Sequence, residues 1–135
     1  DAIWLEGDFP LLPDFCAAFD SSKMDNMLAV VPEETTRAFR ERGGDFVLAD
    51  SGQIRWPQAG EVPPYVFTGI QIMHPRLLEN EPEGYLSLKQ PWDKAIAHGR
   101  LYGHVYPHQW VDMGTLTGLE CAEELLSTKS LKKAV

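Results

Sequence analysis

Nine consecutive residues, Tyr65 to Met73, constrain the fold of this chain more than any other stretch. Tyr-Val-Phe-Thr-Gly-Ile-Gln-Ile-Met is dense in aromatic and β-branched side chains, which suit a pleated, half-buried backbone, and the run predicts the longest strand. Gly69 sits in its interior and gives up packing there. It marks either a bulge or a point where something approaches the backbone closely.

Shorter apolar runs surround this strand. Residues 2–5 stop at Glu6-Gly7-Asp8 and read as a buried, parallel strand with an acid at its carboxyl end. Residues 27–31 read as a second buried strand, closed by Pro32. Asp50-Ser51-Gly52-Gln53 predicts a hairpin turn between residues 45–50 and Ile54-Arg55-Trp56. Two further strands fall at residues 101–106 and 110–115. Pro10 and Pro13 are expected to break regular structure and leave one helical turn at most over residues 15–19.

Helices follow from spacing. A short one is expected at residues 76–78, and another where Trp92, Ala95 and Ile96 share a face and Gly99 ends it. A last amphipathic helix carries Leu119, Ala122, Glu123 and Leu126, with Thr115 or Thr117 as N-cap. The order implies an α/β fold with a mixed sheet flanked by helices. Doubly wound sheets open with a strand, a Gly-rich turn and a phosphate-receiving helix. Those parts are missing from these 135 residues, which read as the later half of such a fold. Residues 1–127 form the expected domain and 128–135 a basic tail that frays from Lys129.

Charge narrows the function. Twenty acidic against twelve basic side chains give a formal charge of −8, which repels phosphate backbones and excludes a general nucleic-acid binder. A local or metal-bridged site for one phosphorylated ligand stays compatible with it. No apolar run reaches the roughly 18 residues that a membrane helix needs, and the opening Asp1-Ala2-Ile3-Trp4 lacks a basic leader, so no signal peptide is expected. Cys16 and Cys121 form no CxxC pair; both are expected as small buried hydrophobes in a reducing cytoplasm.

Three constellations could carry chemistry. Asp8 and Asp112 each follow a short apolar strand and lie close to a glycine. Together they could hold one Mg²⁺ at strand ends, or each could be a turn residue or helix cap. In Gly43-Gly44-Asp45-Phe46 the glycines would let the backbone approach a ligand while Asp45 accepts from hydroxyls; a plain turn is the alternative. Thr68-Gly69 is the third, with a bulge as the equal alternative. His74, His98, His104 and His108 lack metal-binding spacing and are expected at the surface. The four tryptophans read as core, and Arg37, Arg40 and Arg42 as a solvated cluster.

Taken together, residues 65–75, Trp92-Asp93-Lys94-Ala95-Ile96 and Trp110-Val111-Asp112-Met113-Gly114-Thr115 with its helix resemble the C-terminal half of a sugar-1-phosphate nucleotidyltransferase. Trp4-Leu5-Glu6-Gly7-Asp8 is similar to that family's mid-chain strand ending in Gly-Asp. Gly44-Asp45-Phe46 is similar to the subgroup that includes N-acetylmuramate-1-phosphate uridylyltransferases and mannose-1-phosphate guanylyltransferase-like proteins. The resemblance covers residues 1–127 and implies a Rossmann-like nucleotide-diphospho-sugar transferase fold. It also implies a reaction in which a sugar 1-phosphate attacks the α-phosphorus of an NTP and expels pyrophosphate.

It further implies Asp8 and Asp112 as catalytic Mg²⁺ ligands, Gly69 and Thr68 against the sugar, and Asp45 with Gly44 near the sugar or its phosphate. Positioning and electrostatics do most of the work in such a transfer. Three departures stand out. The family's Gly-rich NTP loop and Pro-Lys-Pro have no counterpart, so this chain alone is expected to be inactive. Its Glu-Lys-Pro appears as Arg55-Trp56-Pro57, and an expected Asn as Glu6. A non-catalytic sugar-nucleotide-binding or regulatory module is the competing reading. A half-fold would also expose a sheet edge able to recruit the missing half or a second copy.

Overall fold

The computed structural model describes residues 2–5, 10–36, 43–79, 81 and 83–132. In chain order the elements are β1 (Ala2–Trp4), α1 (Leu11–Ala18), β2 (Asn26–Pro32), β3 (Val47–Leu48), β4 (Ile54–Arg55), β5 (Tyr65–Met73), α2 (Lys89–Ala97), β6 (Leu101–Val105), β7 (Trp110–Asp112) and α3 (Leu116–Lys132). Short 3-10 turns lie at Glu33–Thr35 and Pro75–Leu77.

Strand β2 organises the molecule. It lies between β5, to which it is antiparallel, and β6, to which it is parallel. Every residue from 26 to 31 is buried, as a strand covered on both faces requires. Its side chains alternate between two cores. Met27, Ala29 and Val31 pack with Leu11, Phe15, Val66, Tyr106 and Trp110. Leu28 and Val30 face the other way, into Phe46, Ile54, Leu77, Ala95 and Leu101. A third cluster, Val111, Ala122 and Leu125, fastens α3 to β7.

The mixed sheet flanked by helices is as expected, and β5 occupies the nine residues anticipated for it. Two expectations need correction. Residues 11–18 form a full helix despite Pro13. The proline sits in the first turn, where its missing N–H would have had no intrahelical acceptor, and Leu11 and Phe15 one turn apart bury themselves in the first core. Strand β1 is not parallel to its neighbour: it pairs antiparallel with β7, Ala2 opposite Asp112 and Trp4 opposite Trp110. Its residues are also only half-buried, so the short apolar run overstated burial and carried no information on strand direction.

Side-chain expectations divide similarly. Cys16 is exposed on the outer face of α1 and Cys121 is half-buried. Three of the four histidines, His74, His104 and His108, are less superficial than expected, while His98 is exposed. His104 packs edge-on against Phe15, and burial lowers its pKa. His74 caps the 3-10 turn by accepting from the Arg76 N–H. Helix α2 ends at Gly99, φ +64°, with the Gly99 and Arg100 N–H groups donating to the carbonyls of Ile96 and Ala95.

That stop aims Arg100 at Asp25, which is 8% exposed. The Asp25 Oδ1 accepts from Arg76 Nε at 2.5 Å and Arg100 Nε at 2.6 Å. Both guanidiniums also donate to the Ser21 carbonyl. This triad ties the chain entering β2 to the ends of β5 and α2. Helix α3 starts at Thr115, whose Oγ1 accepts from the Gly118 N–H at 3.0 Å, and its backbone continues to Lys132.

Candidate functional site

Strand β5 bends where its sequence carries Thr68-Gly69. Leu28 pairs with Gln71 and Val30 with Phe67, so one residue of β2, Ala29, faces three of β5. This is a bulge with two extra residues. Gly69 stands at its crest, exposed, with φ +89°. A side chain there would meet nothing within 4 Å. The glycine therefore serves the backbone torsion and leaves open space above the main chain. Thr68 points inward, 5% exposed. Its Oγ1 donates to the Ala29 carbonyl at 2.8 Å and accepts from the Ile70 N–H at 3.3 Å.

Asp45 and Gly44 abut the same strand. The Asp45 Oδ2 accepts from the Phe67 N–H at 2.9 Å, one residue from Thr68. The Gly44 N–H donates to the Pro63 carbonyl at 2.8 Å. A Cβ on Gly44 would collide with the carbonyl oxygens of Tyr65 and Pro63, so only glycine fits this close crossing of two backbones. Gly44 and Asp45 thus flank the edge of β5 that faces away from β2, whereas Thr68 bonds across to β2 and Gly69 stands exposed beside it. Beside Pro64 and Tyr65 at its start lies an open pocket of about 240 Å³, lined also by Pro32, Glu33 and Glu34.

Asp112 closes β7. Its Oδ1 accepts from the Gly114 N–H at 2.9 Å, which orients the carboxylate across the turn into α3. Among the described residues the other carboxylate oxygen accepts no hydrogen bond. Asp8, its expected companion, lies outside the described residues, as do Glu6, Arg37, Arg40 and Arg42. The antiparallel ladder sets Asp112 beside Ala2, whereas the carboxyl end of β1 runs towards Gln109, whose carbonyl accepts from the Leu5 N–H. Among the described residues no three His, Cys, Asp or Glu side chains group as a metal cage.

Arg55-Trp56-Pro57 is committed to internal contacts. Arg55 makes a two-pronged ion pair with Glu61, both N···O distances 2.7 Å, and Glu61 also accepts from the Gln58 N–H. The Arg55 guanidinium, with that N–H, holds the Glu61 carboxyl down at about 2. Trp56 Nε1 donates to Asp93, and its ring packs against Phe46 and Trp92. Lys89 pairs with Asp93 and lies over the Trp56 ring. Trp92 in turn packs edge-on against Phe67, so this cluster braces β5 from the second core.

No protein-family model matches the chain. Over 127 residues, 94% of the chain, it is 31% identical to the N-acetylmuramate alpha-1-phosphate uridylyltransferase of Caulobacter vibrioides. The chain is thus similar in sequence to one half of a sugar-1-phosphate nucleotidyltransferase. The chain spans about half the length of that relative, 52%. In fold it is similar to a Bacillus anthracis protein described as a glucose-1-phosphate thymidylyltransferase and crystallised with sucrose. The TM-score is 0.63, with 20% identity, over 93% of this chain and 51% of the other. The bulged β5 and the β7-to-α3 turn both lie within the region of likeness. What sequence reading missed here is the inward role of Thr68 and the pinning of β5 by Asp45. The signal for Thr68 was a hydroxyl next to the strand glycine, and that reads equally well as a ligand contact.

Proposed function

We propose that this chain provides the sugar- and metal-binding half of a sugar-1-phosphate nucleotidyltransferase. In the whole reaction an oxygen of the sugar 1-phosphate attacks the α-phosphorus of an NTP, and the bond to the pyrophosphate leaving group breaks. The observation that carries this reading is the 31% identity to a uridylyltransferase across 94% of the chain. It is supported by an exposed glycine crest at residue 69, where main-chain groups meet open space, and by a carboxylate at Asp112, one oxygen of which accepts no hydrogen bond from the described residues.

The donor set suits a hard cation, since Mg²⁺ prefers carboxylate oxygen and retains several waters. Asp112, with Asp8, would hold it, and the ion would neutralise phosphate oxygens. Asp112 is kept in orientation by the Gly114 N–H. The sugar and its phosphate would lie against the Gly69 crest, with Gly44-Asp45 supporting β5 from its other edge. Cys16 and Cys121 form no CxxC pair, which fits a reducing cytoplasm, and no helix among the described residues is long and apolar enough to cross a membrane.

Calorimetric titration of the chain with N-acetylmuramate α-1-phosphate, in Mg²⁺ and in EDTA, tests this. Saturable binding that needs Mg²⁺ is expected, with Asp112→Ala weakening it at least tenfold and leaving the far-UV spectrum unchanged. Equal binding in EDTA, undiminished by Asp112→Ala, would point instead to a metal-free binding module. A second expectation concerns turnover. With UTP and the same sugar phosphate the chain alone should release no pyrophosphate above background, because these residues contain no Gly-rich NTP loop. Steady turnover by the 135 residues would refute that.

A further inference from the structure

We propose that Thr68 is a positioning residue: its buried hydroxyl sets the bulge that presents the Gly69 backbone to the sugar phosphate. This rests on the proposed function and assigns Thr68 a role behind the ligand instead of against it.

The geometry supports the assignment in three steps. First, the bulge skips Ala29, which has no counterpart in the β5 register between Val30–Phe67 and Leu28–Gln71. The Thr68 hydroxyl donates to the carbonyl of that unmatched residue, 2.8 Å from the Ala29 oxygen, and so ties the bulge to β2.

Second, the same oxygen accepts from the Ile70 N–H. One atom therefore holds the strand on both sides of Gly69: behind it through Ala29, ahead of it through Ile70. Third, Phe67 is fixed by Asp45 Oδ2, so the extra residues begin from an anchored point. Gly69 itself has no side chain to fix its peptide planes. At φ +89° in open space it would sample other torsions without these flanking bonds. Holding a contact in its bound geometry beforehand lowers the ordering cost of binding.

Valine matches threonine in shape but offers neither donor nor acceptor, whereas serine keeps the hydroxyl. The test compares the wild-type chain, Thr68→Val and Thr68→Ser by ¹⁵N-resolved NMR titration with N-acetylmuramate α-1-phosphate and Mg²⁺. Thermal midpoints are recorded alongside. In the wild type the Gly69 and Ile70 amide signals should move and saturate with the ligand. Thr68→Ser should bind within about threefold of wild type, and Thr68→Val at least tenfold more weakly while remaining folded.

Binding by folded Thr68→Val within twofold of wild type would overturn the proposal. So would wild-type binding that leaves the Gly69 amide unmoved. If Thr68→Val fails to fold, Thr68→Ser decides: tenfold weaker binding in that hydroxyl-retaining variant overturns the role of the hydroxyl, and near-normal binding sustains it. Absence of any binding to the wild type would overturn the proposed function itself and this inference with it, an outcome distinct from the others.

Discussion

Gly118→Ala should destabilise the protein by about 2–3 kcal/mol, although the same change inside an exposed helix ordinarily stabilises by up to about 1 kcal/mol. The reversal comes from one contact. Gly118 lies in the first turn of α3, fully buried, and an added Cβ would fall well inside van der Waals contact with the Asp112 carbonyl oxygen. That oxygen belongs to the backbone at the end of β7, so it cannot swing aside as a flexible side chain would. Helix and strand must separate, which strains the Thr115 cap and pulls Ala122 and Leu125 away from Val111. The turn that orients Asp112 moves with them. Urea denaturation should show the loss, and Mg²⁺-dependent binding should weaken in the same variant. A midpoint at or above that of the wild type would show that α3 does not start against β7 as described.

Asp25→Asn is expected to remove about 2–3 kcal/mol, roughly 10 °C in thermal midpoint. The carboxylate is buried and accepts from two guanidiniums, and losing its charge leaves both without their counter-ion. Each arginine is about one-third exposed or less, 34% and 28%, so water recovers part of the loss and the figure stays at the lower end for broken buried pairs. Burial alone would raise the Asp25 pKa, but hydrogen bonds from Arg100 and Arg76 outweigh it and hold the carboxyl below its ordinary value of 3.8. The stabilisation is accordingly complete where an unfolded-chain aspartate is ionised, above that value. It is lost as pH falls through the lower, folded-state pKa. Wild type and Asp25→Asn should therefore converge in stability under strong acid and differ most near neutrality. A difference between them that did not shrink with acid would exclude the ion triad as its source.

Much of the fold was legible because its signals are local. The residue types of Tyr65–Met73 specify a strand, Gly69 a bulge within it, Gly99 a helix end and Thr115 a cap, and each lies where its own chemistry requires. Asp50-Ser51-Gly52 turns a hairpin whose strands are shorter than their apolar runs, since only Val47-Leu48 and Ile54-Arg55 pair. What failed depended on context. Pro13 was read as a breaker without its position in a first turn, and the orientation of β1 depends on a partner far away in the chain. The Asp25 triad joins residues 51 and 75 positions apart, and nothing in the neighbourhood of any one of them announces the other two. Within the candidate site, residue types indicated where a ligand belongs, but not which groups face it. Thr68 and Gly69 are adjacent, yet one is buried and the other exposed. That distinction is made by the strand's two-residue alternation and its bulge, with Ala29 supplying the acceptor.

The pairing of β1 with β7 has a kinetic consequence. The Tyr106 hydroxyl reaches the Leu5 carbonyl across 101 positions, and the ladder beside it spans slightly more. Contacts of such long range must be closed against chain entropy before they return any stabilisation, which slows folding. During synthesis residues 2–4 leave the ribosome well before residues 110–112 do. Of the described strand pairs, this ladder is therefore the last that can close in the growing chain.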